Sequence, residues 1–68
     1  MAEILKDKDY DLISVIYNSS QAVEICNQYM KDAEKEGDKD ATQFFSEVRE
    51  KNVALVQRGR DLLKTRLQ

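Results

Sequence analysis

Cys26 is the only side chain in the sequence that could serve as a thiol nucleophile, and no histidine stands anywhere to assist it. A catalytic cysteine needs a neighbouring base or cation to hold it as thiolate. Cys26 instead shares a seven-residue rhythm with Leu12, Ser19 and Ala33 on an apolar stripe, which makes it a core residue. The carboxylates offer a second chemistry. Glu24, Glu47 and Glu50 come roughly level if the chain doubles back at Gly37. Di-iron sites in helical bundles, however, add a Glu-x-x-His motif to inward-facing glutamates. Here Glu24 falls away from the stripe, Glu47 and Glu50 flank Val48 without sharing its face, and the commonest transition-metal ligand is missing. No glycine-rich phosphate loop is present either. The sequence therefore assigns no catalytic, cofactor-binding or metal-binding residue, and a non-enzymatic role is expected.

A third chemistry is anion binding, for which Arg58, Arg60, Lys64 and Arg66 are the candidates. Residues 38–68 carry seven bases against five acids, whereas residues 1–37 carry four against eight. A helical-hairpin dimer with such a tail could engage RNA through shape and phosphate. Yet the net charge is −2, and a hairpin would set the tail beside Asp7, Asp9 and Asp11. Bases near a helix C-terminus also complement its dipole. Internal charge complementarity is the simpler reading, so nucleic acid is not the expected partner.

The elements that must position these residues are two long helices. No proline occurs and only two glycines do, which favours uninterrupted helix. The first pattern runs from about 9 to 36. Leu12, Ser19, Cys26 and Ala33 share one heptad position, Val15, Ala22 and Tyr29 a second, and Ile16, Val23 and Met30 a third. Asp7, Asp9 and Asp11 crowd its start, where acids cap amides. Gly37 suits the left-handed residue that closes a helix, and Asp38 or Asp40 can cap the next, so the turn is placed at about 37–39. The second pattern runs from about 40 to 67, with Ala41, Phe44, Phe45, Val48, Leu55 and Val56 among its apolar residues. A connection this short makes the helices antiparallel neighbours within one domain, 1–68. Ile4 and Leu5 could extend the first helix or pack as an arm. The segment FFSEVREKN resembles ferritin-like half-bundles, which would imply a carboxylate metal site, although no metal motif accompanies it.

Asn52 and Gly59 interrupt the second stripe. The hairpin register places Gly59 opposite Val15 and Ile16, and Asn52 near Ser19 and Ala22. A mid-helix glycine costs about 1 kcal/mol against alanine, and close helix approach is the gain expected to offset it. Asn52 could be satisfied by Ser19, or by a symmetry mate, and so fix register as single polar residues do in apolar seams. Its alternative is a place at the stripe's edge, in water.

Sixty-eight residues with one cysteine cannot close an intrachain disulfide, and a core this small is marginal alone. Apolar residues also exceed what two helices can cover on each other. Pairing of two hairpins into a four-helix bundle by homodimerisation is the expected remedy. Tyr10, Ile13, Tyr17, Phe44, Asn52, Val56 and Leu63 are the candidate interface residues, either with a second copy or with an unidentified protein. The start, MAEILKDKDYD, lacks a signal-peptide layout, and no run approaches membrane-spanning length, so a cytoplasmic protein is expected. The function expected is that of a protein-interaction or adaptor module. An RNA-binding hairpin dimer and a ferritin-like carboxylate bundle are the alternatives.

Overall fold

The computed structural model describes residues 7–66, which form two α-helices, α1 (Asp7–Lys35) and α2 (Lys39–Arg66). The helices pack against each other as an antiparallel hairpin, and the described residues contain no strand. The expectations for Ile4, Leu5 and Leu67 fall outside the described residues. Both helices carry charges that oppose their dipoles: Asp7 and Asp9 open α1 and Lys35 closes it, while Asp40 opens α2 and Lys64 and Arg66 close it.

The turn is built from two interlocked caps. Gly37 adopts φ +68°, the left-handed conformation in which a Cβ is strained. Its N–H donates to the Glu34 carbonyl at 3.0 Å, and the Asp38 N–H donates to the Ala33 carbonyl at 3.0 Å. These two bonds are the Schellman pattern, and they satisfy carbonyls that the end of α1 would otherwise leave bare. Asp38 then begins the next helix. Its Oδ1 accepts from the Ala41 N–H at 3.0 Å and its carbonyl accepts from the Thr42 N–H at 3.0 Å. Of the two aspartates offered by the sequence, Asp38 is therefore the N-cap. One residue ends α1 and starts α2, which is why the reversal needs so few positions.

The seam between the helices is lined by small residues. Ser19, Cys26 and Ala33 are buried along α1 at seven-residue intervals, and Gly59 is buried on α2. A Cβ built on Gly59 would lie 2.7 Å from Ile16 Cγ1 and 3.2 Å from Ile16 Cδ1. The close approach expected of this glycine is thus made to Ile16. Val15, the other expected neighbour, is 57% exposed and points away. Asn52 is half-buried, and its Nδ2 donates to the Val48 carbonyl at 2.9 Å, one turn back on its own helix. The amide is satisfied within α2, and Ser19 is not its partner.

Two helices side by side make a slab of 50 × 20 × 12 Å. The shortest dimension is that of one helix with its side chains, about 10–12 Å. Nothing in a slab one layer deep is far from water, and among the described residues no large side chain is fully buried. The radius of gyration of 15.5 Å compares with about 11 Å for a compact domain of this length.

Candidate protein-binding face

The two broad faces of the slab differ. A heptad-repeated helix presents the same bearing every seven residues, so contacts near the turn assign the rest of each helix. Tyr29 meets Phe45 with ring centroids 5.4 Å apart, and Phe44 stands edge-on to Phe45 at 5.8 Å. Tyr29, Asp32, Ala41 and Phe45 line one shallow depression, on what we call the front. Ser20, Val23, Val53, Val56 and Arg60 line a second on the back, and Met30, Thr42 and Ser46 line a third there, nearer the turn. Seven-residue steps place Val15 and Ala22 with Tyr29 on the front of α1. The same steps place Val48, Leu55 and Leu62 with Ala41 on the front of α2.

Exposure separates the faces sharply. Among the described residues, the exposed large apolar side chains are Tyr10, Val15, Tyr17, Ile25, Tyr29, Phe44, Leu55 and Leu62. All but Tyr10 and Tyr17 belong to the front. Phe44 at 61%, Val15 at 57% and Leu55 at 53% are more open than shut. On the back, Ile13, Ile16, Val23, Val53, Val56 and Leu63 are each at least partly covered. The cause lies in the seam. Because the contact line on α1 runs through Ser19, Cys26 and Ala33, the flank holding Val15, Ala22 and Tyr29 is rolled outward. Each of these is paired on α2 with a flank that is rolled outward as well.

Charge borders the front asymmetrically. Asp11 and Asn18 share the bearing of Ile25 and Asp32 along the outer edge of α1. Lys51, Arg58 and Thr65 share that of Phe44 along the outer edge of α2. One edge is therefore acidic and the other basic. Across the back, Arg49 Nη1 donates to Asn27 Oδ1 at 3.0 Å, joining the two helices, and Arg49 also pairs with Glu50 at 3.2 Å.

The candidate residues read from the sequence are dispersed over this frame. Phe44 lies on the front, Ile13, Val56 and Leu63 on the back, and Asn52 in the seam. Tyr10 and Tyr17 lie on the outer side of α1, opposite α2, and are 54% and 63% exposed. Val15, Ile25, Tyr29, Leu55 and Leu62 were not among the candidates. Their apolar character was visible, but Val15, Tyr29 and Leu55 read as parts of the apolar stripes, and only the bearing of one helix on the other shows them open. Arg58 and Arg60 stand two residues, or about 200°, apart on α2. The four tail bases thus do not converge on one patch. Among the described residues the one ion pair is Arg49–Glu50, so the expected pairing of the tail with Asp7, Asp9 and Asp11 is not formed there. Cys26 is buried in the seam as a free thiol. No group of three described Cys, Asp or Glu side chains is placed to hold a metal ion. No described helix is long and apolar enough to cross a membrane.

No protein-family model matches the chain, and no curated protein or solved structure does.

Proposed function

We propose that this chain is a non-enzymatic, cytoplasmic protein-interaction module that works as a homodimer, two hairpins closing into a four-helix bundle. The one observation that carries this reading is the front face, with six large apolar side chains exposed on a single side of a slab one helix thick. Contiguous apolar patches of this kind are rare on monomers and mark interaction surfaces. The total area supports the same reading. The chain exposes 5496 Å², against about 4,400 Å² for a compact monomer of its 7.9 kDa mass. The excess of roughly 1,100 Å² is comparable to the ~800 Å² that each partner covers in a standard interface. Tyr10 and Tyr17, on the outer side of α1, stay free in such a bundle and suit a further protein partner, since a tyrosine ring buries well while its hydroxyl remains wet.

Light scattering across a dilution series tests the proposal. A mass twice that of the chain at micromolar concentration is expected, with helicity and mass falling together on dilution. A helical, cooperatively melting monomer at that concentration would overturn it.

A further inference from the structure

We infer that the two copies meet front to front about a two-fold axis parallel to the helices, so that α1 of each lies along α2 of the other. This rests on the homodimer reading above and adds which face is covered and how it is arranged.

Two arguments select the arrangement. The first is shape. Tyr29 on Phe45, Ile16 on Gly59 and Asn27 on Arg49 fix the level of one helix against the other. Rotation about an axis parallel to the helices preserves that level. Each front residue of α1 then meets, on the partner's α2, the stretch it already faces in its own chain. Tyr29 comes over the partner's Ala41 and the partner's Val48, a large ring over small side chains. Ala22 comes under the partner's Leu55, a small residue beneath a large one. Large against small is how facing helices interdigitate.

The second argument is charge. The parallel axis lays the edge of each α1 that holds Asp11 and Asp32 along the edge of the partner's α2 that holds Lys51 and Arg58. At the level fixed above the partner's Arg58 faces Asn18 and the partner's Lys51 faces Ile25, each base about one heptad, roughly 10 Å, from the nearest acid. The symmetry makes this match twice. An axis running across the helices would instead lay each helix antiparallel on its own copy. With full overlap, Asp11 would then fall beside the partner's Asp32, and Lys51 beside the partner's Arg58. Like charges so placed oppose docking, whereas edges of opposite sign favour it, most at low salt.

Cross-linking distinguishes the two. In a Cys26→Ala background, Ala22→Cys and Leu55→Cys are introduced into separate chains, mixed and mildly oxidised, with the mass read by light scattering before oxidation. The expected result is a linked dimer from the mixture. Val15→Cys, Ala22→Cys or Tyr29→Cys alone stays unlinked, because the two copies of α1 lie diagonally across the bundle. A dimer in which an α1 variant links to itself, or in which the mixture fails to link, overturns the arrangement and leaves the homodimer standing. A monomer overturns both. Arg58→Asp gives an independent sign, read by sedimentation at low salt. It weakens self-association in the parallel arrangement, by removing a base from, and adding an acid to, the edge that runs along the partner's Asp11 and the partner's Asp32. Tighter association on this change would instead indicate the crossed arrangement.

Discussion

At Gly59 a missing methyl group sets how near the two helices come. An alanine there would gain about 1 kcal/mol of helix propensity. It would also drive its Cβ to 2.7 Å from Ile16 Cγ1, an atom next to the branch point that cannot swing clear, and overpacking of this sort costs about 1–3 kcal/mol. Gly59→Ala should therefore lower the melting temperature, and Ile16→Ala in the same chain should recover part of the loss. Independent, additive effects in a double-mutant thermal cycle would count against the contact. Asp9 is a second residue-scale case. It is 8% exposed, and its Oδ1 has no hydrogen-bond partner among the described residues. It occupies the heptad position of Ile16, Val23 and Met30. A buried polar atom left unpaired costs about 1–3 kcal/mol, more than the ~0.3–1 kcal/mol an acid contributes in the first turn of a helix. Asp9→Leu is expected to raise the melting temperature, as chemical denaturation can verify.

Among the elements, the turn is the most economical piece. Since Gly37 needs φ +68° with nothing within 4 Å of a Cβ built there, Gly37→Ala tests conformation without a clash. It should cost about 1–2 kcal/mol, and Asp38→Ala should cost about 1 kcal/mol through the lost cap. Equal stability of either variant to the parent in urea would refute the assignment. This turn was also the most legible part of the sequence, because a glycine followed by Asp-x-Asp carries both caps in its own chemistry. The helices were legible too, through their heptads, and the ends that flank the turn, Lys35 and Lys39, lie within a residue of the sequence reading. The exposed front was not. Periodicity gives one stripe per helix, but the bearing of one stripe on the other depends on which residues are small enough to touch. Asn52 shows the same limit, since its type foretold a need for a partner and its own α2 backbone supplied one.

Over the whole molecule, the contrast between faces is the feature to challenge. Leu55→Glu would put a carboxylate in the centre of the front, and a disrupted central hot spot costs about 2 kcal/mol or more of binding, roughly thirtyfold in dissociation constant. Tyr17→Ala, on the outer side of α1, should leave the association unchanged. Sedimentation equilibrium on the two variants compares them directly, and equal effects would mean that the front is not the contact. The 12 Å thickness has a further consequence. In a sheet of protein a single rod deep, the backbone amides of the seam have no second layer to shelter them from solvent. Their deuterium uptake should then report assembly more than folding, slow in concentrated solution and faster on dilution, at one temperature and one pH.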